Sequence, residues 1–383
     1  MNLANGSRSN LRIAMLVTEA HGGLGGISQY NIDVLDALAE SDQIEEIVVL
    51  PRLVKSLGFV VPQKIKYDLR CSKSLTNFLG ICALHSLSGS RFDLVYCAHI
   101  NLMPMAVMIA RMHRAPVVLS IFGIDAWQRP KSRLTSITAR APNLVISISK
   151  VTLSRFCRWT DLNGKTTAIV PNAIRLQAYG AGEKNLDLIA RFGLAGRKVI
   201  MTFGRMSSAE RYKGFDEVIS ALPRLKSLQD NLVYLIAGEG DDRKRLEAKA
   251  RQLGVAESVL FTGHVPEGEK ADYYRLADAF VMPSSGEGFG FVILEALACG
   301  IPVVASSADG TFEAVKGGAL GIVVDPTDPL ALEQGILEAL RRPKVVPSDL
   351  DYFSFERFSD RLLDALSSVL AGSLGRAYCP NEL

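Results

Sequence analysis

The sequence predicts an α/β protein of two domains, each built on a doubly wound parallel sheet. Three observations carry that expectation. Apolar runs of roughly four to eight residues alternate with longer helical patterns, as expected of strands covered by helices on both faces. The alternation occurs twice, on either side of a polar, glycine-bearing segment at 175–197 that reads as the interdomain connection. The chain's 383 residues suffice for two domains of ordinary size.

In the first half the strand candidates are 11–17, 47–50, 94–97, 117–121, 144–148 and 167–170, with helical patterns such as 28–39 and 104–112 between them. The second half repeats the theme at 199–203, 232–237, 259–261, 279–282, 303–305 and 322–324. The tail from Gly372 reads as frayed. Ligands of open parallel sheets bind beyond the carboxyl ends of the strands. Each motif below follows a strand candidate.

Bulk properties narrow the class. With 48% hydrophobic and 22% charged residues, the chain is a soluble globular protein rather than a disordered one. Its six cysteines are scattered without a C-x-x-C pair, so neither a metal site nor a disulfide scaffold is expected, and the compartment reads as the reducing cytoplasm. The polar start, with no signal peptide and no 18-residue apolar span, predicts no membrane crossing. Charge is uneven: residues 1–172 carry 19 Lys and Arg against 11 Asp and Glu, the remainder 24 against 29. A basic first half suits an anionic surface, or is solvated charge of no consequence.

The stretch 283–306 holds the most chemistry. Glu287 lies in a loop broken by Gly286, Gly288 and Gly290, and Glu295 follows inside an apolar helical pattern. At roughly 1.5 Å per residue, the second carboxylate sits about two turns deeper. Backbone amides of a glycine loop at a helix N-terminus favour anions, and carboxylates beside them suit hydroxyls. Arg205 follows the strand 199–203, and Lys213 precedes the next helix. A forked guanidinium and a compact ammonium suit a diphosphate. Solvated charge on a polar loop is the alternative for both. Glu295 is costly to bury without partners.

This stretch resembles the E-x7-E signature of the retaining, nucleotide-sugar-dependent glycosyltransferases of family 4, which have the GT-B fold. Gly204-Arg205 with Lys213-Gly214, Ala237-Gly238-Glu239-Gly240, Thr262-Gly263-His264-Val265, Pro171-Asn172 and Asp325-Pro326 fall in that family's order. The resemblance is dense from about 165 to 330 and weaker before. It implies two Rossmann-like domains facing across a cleft: 1–174 for the acceptor, joined by a crossover helix at about 353–371, and 175–352 for the nucleotide sugar. It implies that Arg205 and Lys213 bind the donor phosphates and stabilise the departing charge. Glu295 then holds the ribose hydroxyls, while Glu287 faces the transferred sugar. Gly263, His264, Val265, Gly288, Phe289, Gly290 and Phe291 complete the donor contacts. In the first half, Gly25 and Gly26 let the backbone approach the diphosphate.

His99, at a strand end, is a catalytic candidate or a satisfied core histidine. Where many relatives carry a histidine before Gly123, this chain has Phe122. That departure implies altered acceptor geometry, lost activity, or a polar role in the acceptor pocket taken by Asp125. Basic residues interleaved with apolar ones at 51–87, 127–133 and 150–159 suit an anionic membrane or a lipid-linked acceptor, or are ordinary amphipathic helices. Nucleic-acid binding has no motif behind it. No metal or other cofactor is expected: five dispersed histidines and one D-x-D (Asp349, Asp351) make no metal site, and the nucleotide sugar is a co-substrate. The function expected is hexose transfer from a uridine- or guanosine-diphosphate sugar to a saccharide or lipid-linked hydroxyl, at the inner face of a bacterial cytoplasmic membrane. A silent nucleotide-sugar-binding subunit, or an epimerase or phosphorylase of the same fold, are the alternatives.

Overall fold

The computed structural model describes residues 10–23, 25–162 and 165–370. Leu24, Cys379 and the tail from Gly372 lie outside the described residues, as does the last residue of the expected crossover helix. The chain divides into two compact units, 1–173 with 355–383, and 174–354.

The described residues of the first unit form seven strands: β1 (Leu11–Val17), β2 (Ile44–Pro51), β3 (Ile65–Tyr67), β4 (Leu94–Cys97), β5 (Val117–Ile121), β6 (Leu144–Ser147) and β7 (Thr166–Ile169). Their order is β3-β2-β1-β4-β5-β6-β7, and every pairing is parallel. β1, β4, β5 and β6 are apolar and almost fully buried, which is what helices on both faces demand. β3 was not expected from the sequence. It is a three-residue edge strand in a basic segment, too short to show a period. The helix Phe355–Leu370 packs in this unit, its Phe358 ring edge-on to Tyr30 at 5.3 Å between centroids.

The second unit holds β8 (Lys198–Phe203), β9 (Leu232–Ala237), β10 (Val259–Phe261), β11 (Ala279–Met282), β12 (Val303–Ser306) and β13 (Ile322–Val324). They run in the order β10-β9-β8-β11-β12-β13, again all parallel. The segment 175–197, read as the interdomain connection, lies within the second unit. It contains the helix Leu186–Phe192, capped by Asn185, whose side chain accepts from the amides of Asp187 and Leu188. Lys184 ties it to the sheet through Asp278, at 3.0 Å. Polar composition hid a helix whose caps are themselves polar. The D-x-D segment lies in a 3-10 helix, Ser348–Phe353.

In each sheet chain order reverses between two adjacent strands, β1 and β4 in the first, β8 and β11 in the second. Ligands of doubly wound sheets bind beyond the carboxyl ends at such switch points. The loops leaving those strand ends carry Gly22, Gly23, Gly25, His99, Arg205 and Glu287. Among the described residues no helix is long and apolar enough to cross a membrane.

Candidate functional site

At the second unit's switch point, Arg205 leaves β8 with an exposed side chain and pairs with Glu210. Lys213 closes a 3-10 turn, Arg211–Lys213, and donates to Glu287 Oε1 at 2.7 Å, with Glu210 Oε2 3.8 Å away. Arg205, Glu210, Lys213 and Glu287 thus form one chain of alternating charge. Below it, Asp242 accepts from Arg211 and Arg245, while Asp216 accepts from Arg245 and Lys249. That network fixes the turn carrying Lys213. Burial works against the Asp216 charge, but Arg245 and Lys249 outweigh it and hold the carboxyl at about 2.

The acidic loop is shaped by Asp309, a residue the sequence reading missed. Its Oδ2 accepts from Ser284 Oγ (2.7 Å) and the Glu287 amide (2.8 Å), its Oδ1 from the Thr311 amide (3.0 Å) and hydroxyl (2.7 Å). Gly310 N donates to the Glu287 carbonyl at 2.9 Å. A Cβ on Gly310 would lie 2.0 Å from the Gly288 carbonyl oxygen, so only glycine fits. The loop ends at Gly290, which caps the helix Phe291–Ala298. The Phe289 ring is buried, edge-on to Phe353.

Glu295 is buried in that helix at 6% exposure, with partners of its own. Tyr274 Oη donates to Oε2 at 2.6 Å; Tyr179 Oη and Lys270 Nζ donate to Oε1 at 2.9 and 3.2 Å. These three bonds leave the carboxylate with acceptor capacity for one more donor. Lys213 and Glu287 therefore meet, with Arg205 joined to them through Glu210, while Glu295 is held by a separate set. Tyr179, Tyr274 and Lys270 were not singled out from sequence. Tyr274 and Lys270, four apart on one helix, share a face and carried the readable signal.

Gly263 and His264 line an open cavity of about 550 Å³ with Arg205, Glu239, Gly240 and Arg243. His264 Nδ1 is 3.6 Å from Glu239 Oε1, both exposed; Val265 is buried. The last three cavity residues were absent from the expected contacts, although Glu239 and Gly240 stood in the quoted motif.

In the first unit Gly25, at φ +92°, caps the helix Gly26–Glu40. The carbonyl of Gly22 accepts from the amides of Lys55 and Ser56, and His21 shares a 2.9 Å bond with the Tyr67 hydroxyl. His99 follows β4 and accepts at Nδ1 from the Asn101 amide, 3.1 Å, which puts the neutral ring's proton on Nε2. Burial pushes its pKa down to about 4. Asp125 has one carboxylate oxygen, Oδ2, buried without a hydrogen-bond partner, and burial pushes it up to about 7. Phe122 is buried edge-on to Tyr30 at 5.2 Å, with the Tyr30 hydroxyl on the Val170 carbonyl. An aromatic cluster occupies the place expected of a histidine. Asn172 Oδ1 is a second buried acceptor without a partner. Among the described residues no cluster of three or more His, Cys, Asp or Glu is placed to hold a metal ion.

Residues 190–350 match the family described as glycosyl transferases group 1. The solved structure of Anabaena Alr3699/HepE in complex with UDP-glucose superposes with a TM-score of 0.75 at 21% identity, over 94% of this chain and all of that one. The fold is that of the GT-B glycosyltransferases, and residues 190–350 carry the group 1 glycosyl transferase domain. A GDP-mannose-dependent α-(1-6)-phosphatidylinositol monomannoside mannosyltransferase of Mycolicibacterium smegmatis is 33% identical over 53% of the chain, which spans 54% of that relative. The phosphatidyl-myo-inositol mannosyltransferase of Mycobacterium leprae is 25% identical over 86% of the chain and 88% of its own length. The group 1 region contains Arg205, Lys213, Gly263 to Val265, Glu287 to Phe291, Glu295 and Asp309. It does not reach Tyr179, or Gly25, Gly26, His99 and Asp125 in the first unit.

Proposed function

We propose that this protein is a retaining hexosyltransferase, moving a sugar from a nucleoside diphosphate to a hydroxyl of a saccharide or lipid-linked acceptor. One observation carries the reading: Lys213 pairs with Glu287, and Glu210 links it to Arg205, beyond the carboxyl ends of the switch-point strands. Two cations there suit a diphosphate leaving group, in the role a divalent metal plays elsewhere, so the reaction runs without a metal or other cofactor. Glu287 meets the hydroxyls of the transferred sugar, and Glu295 offers its remaining acceptor position to the ribose. Gly25 and Gly26 present backbone to the phosphates. In the transfer, the bond from the anomeric carbon to the phosphate oxygen breaks as the acceptor oxygen bonds to the same face. The departing phosphate oxygen takes the acceptor's proton, so no enzyme nucleophile is needed. His99, neutral, and Asp125 serve the acceptor side.

The donor we favour is a UDP-sugar, with GDP-mannose second; a structural neighbour is solved with UDP-glucose and one relative is named for GDP-mannose. Relatives named for phosphatidylinositol mannosylation support an acceptor in glycolipid synthesis; we place the meeting with that acceptor at the inner face of the cytoplasmic membrane. The test is thermal-shift screening against nucleoside diphosphates and their sugars, because a tight ligand raises stability by mass action. Arg205→Ala should weaken the best diphosphate at least about tenfold, the scale of a lost charge-assisted pair. Unchanged affinity removes the phosphate assignment.

A further inference from the structure

Both backbone polar groups of Glu287 are held by consecutive residues of a different strand's loop: its amide donates to Asp309, and its carbonyl accepts from Gly310. We infer that Asp309 is a positioning residue of the reaction centre, setting where the Glu287 carboxylate, and Lys213 with it, stand against the sugar. This rests on the role proposed for Glu287.

Four features argue for it. Asp309 is buried at 3% exposure, so its carboxylate is not there to meet solvent. Its four bonds come from neutral donors on three residues, Ser284, Glu287 and Thr311. Ser284 is fully buried and Thr311 is anchored in turn, its hydroxyl accepting from the Ser306 amide at 3.1 Å, so the clamp is tied to the end of β12. The two backbone amides can only donate, and an acceptor-only carboxylate is the side chain that satisfies both at once. Burial raises the pKa of Asp309, the cost expected of an anion kept for its acceptor power. The clamp joins the loop after β11 to the turn after β12. A carboxylate meeting sugar hydroxyls must be held to a fraction of an ångström, and a loop residue gains that precision from such support.

Asp309→Asn keeps the shape but turns one acceptor into a donor aimed at an amide. Calorimetric titration of UDP and UDP-glucose, with GDP and GDP-mannose in parallel, into wild type, Asp309→Asn, Glu287→Gln and the double variant tests the inference. Expected is an about tenfold loss in affinity for the nucleotide sugar in Asp309→Asn, with the bare nucleotide within about twofold of wild type. Because Asp309 acts through Glu287, the double variant should lose little more than the worse single one, not the product of the two. Multiplicative losses, or parallel losses for nucleotide and nucleotide sugar, overturn it. So does Asp309→Asn binding both ligands like wild type while Glu287→Gln is impaired. A Glu287→Gln protein that binds sugar normally overturns the assignment of Glu287 itself, a failure distinguishable from the others. Should Asp309→Asn not fold, Ser284→Ala removes one of the two donors on the same Oδ2. It should lower nucleotide-sugar affinity about threefold and leave the bare nucleotide alone; no change there overturns the inference too.

Discussion

His99 and Asp125 follow neighbouring strands of the first sheet, and burial moves their charges in opposite senses. For His99, pushed down to about 4, the unfolded chain binds a proton between its ordinary 6.5 and that value which the folded chain refuses. Stability therefore falls as pH drops through that window. Asp125, pushed up to about 7, keeps a proton that the unfolded chain releases above 3.8, so its contribution is lost as pH rises through that window. The two slopes oppose each other, and a single substitution separates them. Asp125→Asn should stabilise the protein at pH 8 by about 1–3 kcal/mol and by almost nothing at pH 4. Urea unfolding at the two pH values reads the difference, and an equal change at both ends removes the buried-charge account.

Loops at strand ends make the second site, and they are packed backbone against backbone. A Cβ on Gly240 would lie 1.8 Å from the Met206 carbonyl oxygen, and that contact brings the loop after β9 onto the loop carrying Arg205. Gly240→Ala should cost about 2 kcal/mol or more by forcing the two loops apart, and weaken nucleotide binding with it. Chemical denaturation and nucleotide titration check both halves; a stable variant with normal affinity means the loops separate freely. Strand ends were also where the sequence could be read. Buried parallel strands are continuous apolar runs, so among the described residues every strand but β3 was legible, and the residues after them, Arg205, Glu287 and His99, stood out. What escaped was polar and made by tertiary contact. Asp309 follows β12 as an ordinary loop aspartate, and only the fold brings Ser284 and the Glu287 amide to it. Tyr179 sat in a segment read as connection, 116 residues from the Glu295 it serves. β3 owes its strand form to the β2 edge rather than to its own three residues.

Over the whole molecule, the basic excess of the first half coincides with apolar exposure. Leu57 and Val60 are 75% and 93% exposed, and Leu75 and Leu79 stand out on a helix, Leu75–Ser86, that carries no Lys, Arg, Asp or Glu. Arg52, Lys55, Arg70 and Lys73 lie among them in sequence. Exposed leucines among cations suit an anionic bilayer surface. Sedimentation with vesicles containing phosphatidylglycerol should capture the protein at low salt and release it as salt rises, with Leu57→Asp, Val60→Asp cutting capture severalfold. Equal retention on neutral vesicles, or none on either, sinks the membrane contact. The division of the chain has a further consequence for synthesis. The second unit is one unbroken segment, 174–354, whereas the first needs the helix Phe355–Leu370, which leaves the ribosome after everything else described. With Phe355, Phe358, Leu362 and Leu366 not yet delivered, the first sheet must wait with its helix bed open while the second sheet closes. The half that is translated first is finished last.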